Sequence, residues 1–365
     1  MFKPKFDITN NLLTYISAIE SAKALIENSP LVPAWESKFK KDAMARTVHF
    51  GTKIEGNDLT EDEAKRVVRL ELIDDPEEAA RKTGITARQR DVQEVINYRN
   101  VVRWIDEQDM EISANLFSED TLKHLHSLTM SRLLDEHDIA HYRKKQVIVK
   151  GAGDYAGKVV FRPPVSVEVP YLVEEFFKWL NHPSSQQLHA IFRAAITHYQ
   201  LVYIHPFIEG NGRSGRAMAS LVLYATGYDF KRFFSIEEYF DRNVENYYSA
   251  LQSVQQSENN DMTYWLEYFC YGLALEVERV KNQVQKLSKD LKLKKELGQQ
   301  VALSERQIIL LELLQKQGEV ASSDAQDVLP NVSVDTILRD LKDLMKKGVV
   351  KKHGVTKGVT YSLVE

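Results

Sequence analysis

The sequence predicts a mainly α-helical fold: a helical bundle interrupted by one β-hairpin and followed by a C-terminal winged helix-turn-helix domain. Three observations carry this. Apolar residues recur at helical spacing through most of the chain, as in Leu188, Ile191, Phe192, Ala195, Ile196 and Tyr199. One stretch, "KKQVIVKGAGDYAGKVVFRPP" at 144–164, instead sets two β-branched runs around a glycine-rich turn and closes on a Pro-Pro pair. The tail from about 301 reads helix, short helix, helix, strand, strand.

In chain order, "AWESKFKKDAMARTVHFGTKI" at 34–54 forms a helix that stops at "EGND". A new helix starts behind "LTEDEA", where Thr60 and Glu63 have capping-box spacing. Further helices are expected at 87–107, 118–134, 169–181 and 186–203. A hairpin alone among helices is marginal by itself, so the one at 146–162 should lie over another feature. Residues 276–299 are charged, free of proline and helical in period, which makes them a connecting helix. The expected division is an N-terminal helical region at 1–112, a core at 113–275, a linker helix at 276–300 and the winged-helix domain at 301–365.

The chain has 365 residues, enough for two or three domains, and its 43% apolar and 27% charged content is that of a globular protein. A net charge of -4 supplies no basic field for bulk binding to nucleic acid or membrane. The lone cysteine, Cys270, excludes an intramolecular disulfide and reads as a small buried core residue. The N-terminus "MFKPKFDITNNLL" lacks an apolar signal core, and no apolar run approaches bilayer length. The expectation is a cytoplasmic protein with no membrane partner.

The densest chemistry lies in "HPFIEGNGRSGRAMAS", His205 to Ser220. Gly210, Gly212 and Gly215 satisfy G-x-G-x-x-G, but a dinucleotide-binding turn needs a strand before it, and here an amphipathic helix leads in. The Walker pattern is absent. What remains is an anion nest: glycines turn successive N–H groups inward, and a helix beginning near Asn211 aims its positive end at the same point. Arg213 and Arg216, three apart, neighbour each other on that helix and can grip phosphate oxygens. Glu209 makes sense if it holds a divalent cation that bridges phosphates. His205 sits at the mouth, placed to take a proton from an incoming hydroxyl.

"HPFIEGNGRSGR" resembles the Fic motif, H-x-F-x-(D/E)-G-N-G-R-x-x-R, at every specified position, and the resemblance extends over roughly 30–275. It implies a Fic-type helical bundle that transfers AMP from ATP to a hydroxyl of a target protein, with Mg²⁺, releasing pyrophosphate. It also implies residue roles. His205 would be the general base, and Phe207 would pack inward and hold the loop. Glu209 would hold Mg²⁺. Asn211 and the Gly210 and Gly212 amides would cradle phosphate, with Ser214 and Gly215 in the same nucleotide-binding run. Arg213 and Arg216 would take the outer phosphates. The 146–162 hairpin resembles the flap that pins the target segment by main-chain bonds. "NVENYYSALQSVQQ" resembles the segment over the adenine, with Tyr247 and Tyr248 as candidates for the base pocket, Tyr247 favoured, and Gln255 as a hydrogen-bonding partner.

"GTKIEGND", Gly51 to Asp58, resembles the family's inhibitory motif, (S/T)-x-x-x-E-(G/N), through Glu55 and Gly56. Gly51 stands where the motif has Ser or Thr, and glycine loosens a helix by about 1 kcal/mol relative to alanine. A carboxylate at a helix C-terminus gains from a cationic partner, and the resemblance implies that the partner is Arg216. The paired arginine could then not grip the γ-phosphate. In relatives the same glutamate can help to remove AMP, so a de-AMPylase, or a transferase using another nucleotide donor, stays open beside the autoinhibited adenylyltransferase. A DNA-binding regulator that senses nucleotide is the rival from another class, though a sensor needs no base at His205. In the tail, "SVDTILRDLKDLMKKG" would be the recognition helix and "KKHGVTKG" the wing. Asp335, Asp340 and Asp343 dilute the recognition helix's charge, which favours protein docking or dimer spacing over DNA. The implied partners are thus a target protein and, as further candidates, a second copy and DNA.

Overall fold

The computed structural model describes residues 2–29, 31, 33–70, 72–108, 116–150, 159–296, 303–330, 332–354 and 359–364. The hairpin turn, the tip of the wing, the end of the connecting helix and the expected boundary near 112 lie outside these residues. Two compact units emerge: Met1–Glu27 with Lys41–Asn282, and Asn28–Lys40 with Gln283–Glu365.

The first unit is the helical bundle. Helices α1 (Asn10–Asn28), α2 (Pro33–Lys53), α3 (Glu61–Val68), α4 (Pro76–Thr83), α5 (Gln89–Glu107) and α6 (Glu119–Met130) precede the hairpin strands β1 (Val149–Lys150) and β2 (Val159–Phe161). Next come α7 (Val169–Leu180), α8 (Pro183–Gln186), α9 (Ala190–Ile204), α10 (Asn211–Ala225), α11 (Ile236–Arg242) and α12 (Val244–Gln256). Helix α13 (Thr263–Glu296), which belongs to this unit as far as Asn282, is unbroken over the described part of the stretch read as a separate connecting helix. Helix α3 begins at the expected capping box: the Thr60 hydroxyl accepts from the Glu63 N–H, and the Glu63 carboxylate accepts from the Thr60 N–H. Helix α6 stops four residues short of expectation because Arg132 turns to a φ of 60°. The connecting turns are set by polar caps, such as Ser118 before α6 and Asn243 before α12.

Helices α9 and α10 pack along each other at the centre, with α5 and α6 against α10 and α7 against α9. Gly215 faces α9 at this contact, where a methyl group would lie 3.4 Å from Val202 Cγ2, an ordinary van der Waals distance. Trp265 of α13, wholly buried, donates its indole N–H to the Ala195 carbonyl and fixes α13 on the same pair. Cys270 is buried as expected. The hairpin lies over a feature of the kind its marginal stability requires: Phe161 packs on Tyr203, in the last turn of α9, with ring centroids 5.7 Å apart.

The second unit holds α14 (Glu305–Gln317), β3 (Glu319–Ala321), α15 (Ser322–Val328), α16 (Val334–Lys346), β4 (Val350–His353) and β5 (Thr360–Leu363). Its antiparallel sheet has the order β3-β5-β4. Leu310, Leu314, Ile337, Leu341, Leu344 and Tyr361 form its core. Two of the acids that dilute the recognition helix are used inside the unit: Arg306 binds Asp340 and Gln307 binds Asp343.

Candidate active site

Helix α9 ends at His205, whose φ of 52° is left-handed, rare for a residue with a side chain. Its N–H donates to the Leu201 carbonyl at 3.0 Å, and its ring Nδ1 lies 3.1 Å from the Val202 carbonyl. A carbonyl can only accept, so Nδ1 carries the proton and Nε2 the lone pair. Burial lowers the imidazole's pKa, the Val202 bond and Glu55 oppose that, and Arg143 adds to it; the net shift is downward. A neutral ring with a basic Nε2 is what proton abstraction near pH 7 needs.

The loop after His205 is held from beneath. Phe207 is wholly buried and stacks on His126, centroids 3.7 Å apart and rings 15° from parallel. Ala140 donates its N–H to His126 Nδ1 at 2.9 Å, which leaves Nε2–H to donate to the Glu209 carbonyl at 3.0 Å. Burial holds the His126 pKa down at about 4, so the ring is neutral in this role. Asn211 closes the loop on itself: its Oδ1 accepts from the Phe207 N–H at 2.8 Å and its Nδ2 donates to the Phe207 carbonyl at 2.9 Å. The Asn211 amide group is therefore engaged with the loop backbone, and its main-chain N–H is what it can offer a phosphate. Gly210 has a φ of 76° and lies so close to Met130 that a methyl group would come within 2.6 Å of the sulfur. Glycine is thus required where α10 starts, at Asn211 as expected.

Arg213 and Arg216 follow on α10, each 2% exposed. Arg213 Nε and Nη1 have no hydrogen-bond partner, and its nearest carboxylates, Glu94 and Glu209, stand at 3.6 and 3.7 Å. A buried guanidinium with free N–H groups at a helix N-terminus is an incomplete anion site. Arg216 differs: its Nη2 donates to Glu55 Oε1 and to the Gly51 carbonyl, both at 2.8 Å. Burial raises the Glu55 carboxyl's pKa, but Arg216 and then Arg213 outweigh it, so the group stays ionised. Burial lowers the Arg216 pKa and Glu55 more than offsets that.

Glu55 owes its place to how α2 ends. Asn57 N–H bonds to the Thr52 carbonyl and Gly56 N–H to the Lys53 carbonyl, with Gly56 at a φ of 92°: a Schellman turn. The Glu-Gly pair is therefore cap chemistry that projects Glu55 over the tip of α10. A methyl group on Gly212 would lie 2.2 Å from Glu55 Oε1, so the carboxylate occupies the space beside the first turn of α10. Gly51 has its own reason. A methyl group there would come within 2.4 Å of Tyr98 Cε1, so the Tyr98 ring takes the room that a Ser or Thr side chain would need.

The remaining expected residues are placed as follows. Glu209 binds Arg90 of α5, and among the described residues no cluster of three or more His, Cys, Asp or Glu side chains could hold a metal. One carboxylate is enough for Mg²⁺ only where substrate phosphates complete the shell. Ser214 is buried and its hydroxyl has no partner; Gly215 faces α9, away from the loop. Tyr247 departs from the expectation: it is 2% exposed, 2.8 Å from His198 Nε2 through its hydroxyl, and stacked on Phe240. Helical spacing showed that one of the two tyrosines enters the core, and Tyr247 is the one. Tyr248 keeps an exposed part, and Gln255 lies against Tyr199. The supports His126 and Tyr98 were not read from sequence, since only packing brings them to the loop.

Residues 116–223 match the sequence profile of the Fic/DOC family, and 306–358 match that of the DeoR-like helix-turn-helix domain. Residues 116–223 carry a Fic domain. Among solved structures, a Fic family protein from Desulfovibrio desulfuricans G20 superposes with a TM-score of 0.65 at 22% identity, covering 100% of this chain and 98% of that one. A Fic domain containing signaling protein from Bacteroides thetaiotaomicron VPI-5482 gives a TM-score of 0.59 at 20% identity, over 77% and 98%. These likenesses concern the fold. In sequence, the protein adenylyltransferase Fic of Drosophila grimshawi is 29% identical over 58% of this chain and that of Drosophila virilis 29% over 52%. The chain covers only 38% and 34% of those two proteins' lengths. The mainly helical Fic fold with a C-terminal helix-turn-helix domain is as the sequence led us to expect, and no helix among the described residues is long and apolar enough to cross a membrane.

Proposed function

We propose that the chain is a protein adenylyltransferase that moves AMP from ATP to a Ser, Thr or Tyr hydroxyl of a target protein and is restrained by Glu55. The observation that carries this reading is the arrangement around α10. A basic imidazole nitrogen stands at its mouth, a half-partnered Arg213 lies inside it, and Arg216 is held off by a carboxylate. The relatives named protein adenylyltransferase support the chemistry, and the Glu55–Arg216 pair supports the restraint.

In the reaction, the target's hydroxyl oxygen bonds to the α-phosphorus, its proton passes to His205 Nε2, and the bond from the α-phosphorus to the bridging oxygen breaks to release pyrophosphate. Positioning and charge stabilisation are the protein's main contributions to such a transfer. The first-turn amides of α10 and the guanidinium of Arg213 would meet the developing charge. Arg216, once free of Glu55, would grip the outer phosphates. Glu209 would share Mg²⁺ with the phosphates, where the ion would neutralise charge, and Arg90 must first release that carboxylate. Tyr248 and Gln255 remain the candidates for the adenine. The target segment would lie along the β1–β2 flap. The fit to the DeoR-like helix-turn-helix domain supports DNA as a second partner, and a salt-dependent mobility shift by the full chain would test it.

The test is incubation with α-labelled ATP and Mg²⁺, comparing the unaltered chain with His205→Ala and Glu55→Gly. Label that vanishes without His205 and increases without Glu55 agrees with the proposal. Label indifferent to His205 refutes it.

A further inference from the structure

Arg143 lies outside every motif discussed above, in the segment leading into the hairpin, and is 4% exposed. Among the described residues no carboxylate pairs with it; its donors go to carbonyls instead. Nε donates to the His205 carbonyl at 2.7 Å and Nη2 to that of Ile204 at 3.4 Å, while its main-chain N–H donates to the Pro206 carbonyl at 2.9 Å. On the other side, Nη2 reaches the Pro164 carbonyl at 2.6 Å and Nη1 that of Lys145 at 3.3 Å. Lys145 precedes β1 and Pro164 follows β2, so this one arginine ties both legs of the hairpin to three successive carbonyls at His205, two through its guanidinium and one through its main-chain N–H.

The chemistry of that position explains the residue. A helix leaves its last carbonyls unpaired, and the left-handed turn at His205 swings the next ones out of the helical ladder. A cation there also meets the negative end of the α9 dipole. Only arginine has a planar fork of five donors able to serve several carbonyls in different directions; lysine keeps the charge but not the fork. Two more bonds brace the legs: Gln146 Nε2 to the Pro163 carbonyl at 2.8 Å, and Ser166 Oγ to the Lys144 carbonyl at 3.1 Å.

We propose that Arg143 is a positioning residue that locks the flap's base to the backbone carrying His205, so that a docked hydroxyl and the imidazole share one frame. The role in transfer rests on the adenylyl-transfer reading above; the mechanical coupling does not. A misplacement of about 1 Å between reacting groups costs on the order of 100-fold in rate, which is the scale expected when the tie is cut.

The experiment uses the full chain carrying Glu55→Gly, with and without Arg143→Lys. Three readouts are taken: self-labelling from α-labelled ATP, ATP affinity by calorimetry, and amide hydrogen exchange. With Arg143→Lys, transfer should fall about 100-fold while ATP affinity is unchanged, and the β1–β2 amides should lose protection together with those of Tyr203–His205. Transfer at the parent rate, or ATP affinity falling in step with transfer, overturns the proposal. If the parent itself transfers no label, the adenylyl-transfer reading fails, and exchange alone decides the coupling: joint loss of protection supports it and loss in one segment only overturns it. If Arg143→Lys does not fold, the parent's own exchange is decisive, since a locked unit opens with one free energy and separate openings of flap and α9 end contradict the lock.

Discussion

Removing the Glu55 carboxylate is the perturbation whose size follows most directly from the structure. Arg216 Nη2 and Glu55 Oε1 are 2.8 Å apart, with the arginine side chain 1% and the glutamate 29% exposed. A hydrogen bond between charged groups contributes a net of about 1.5–3 kcal/mol, which corresponds to roughly 10- to 150-fold in the free population of Arg216. Two features pull the value toward the lower end. The glutamate's exposure screens the pair, and the Gly51 carbonyl keeps its own 2.8 Å bond to Arg216 after the carboxylate has gone. Glu55→Gly should therefore raise the initial rate of labelling from α-labelled ATP by about 10- to 30-fold. Glu55→Gln, which keeps shape and an acceptor but not the charge, should fall between. A folded Glu55→Gly protein with an unchanged or lower rate would refute the idea that this pair restrains the site.

Other consequences concern stability and pH. His126 and His198 are wholly buried; burial holds their pKa values at about 4 and about 3, with the Arg216 charge adding to the effect at His198. The unfolded chain binds protons at these imidazoles from about pH 6.5 downward while the folded chain does not, so stability is complete above that value and is lost as pH falls toward the folded values. The loss should be about 2 kcal/mol per histidine at pH 5, read as a falling urea midpoint; a flat midpoint between pH 7 and 5 would contradict neutral burial. Gly51→Thr, which restores the residue of the inhibitory motif, should destabilise the chain by about 1–3 kcal/mol through overpacking against Tyr98, measured by thermal unfolding. Unaltered stability would mean that Tyr98 can move aside.

The sequence carried what depends on local chemistry. The Thr60–Glu63 capping box, the start of α10 at Asn211, the hairpin and the winged tail all follow from spacing and turn residues, and the structure has them. The His205–Arg216 run was legible because its glycines, arginines and histidine serve one local turn. What the sequence withheld depends on contacts between distant segments. Gly51 reads as a weakness in α2 until Tyr98 is seen against it, and Asn211 reads as a ligand until its amide is seen closing on Phe207. Tyr247 and Tyr248 share a helix, and periodicity alone does not say which of them faces His198. Arg143 and His126 act on backbone carbonyls, which leave no side-chain pattern to recognise.

The central claim, that His205 at the tip of α10 takes the proton of a hydroxyl that receives AMP from ATP, is tested most directly by intact-mass analysis of Glu55→Gly chain incubated with ATP and Mg²⁺, with pyrophosphate measured alongside. The account predicts an adduct with the mass of AMP, pyrophosphate in equal amount, and neither when His205→Ala is added. A phosphate adduct, or an AMP adduct that persists without His205, would contradict it.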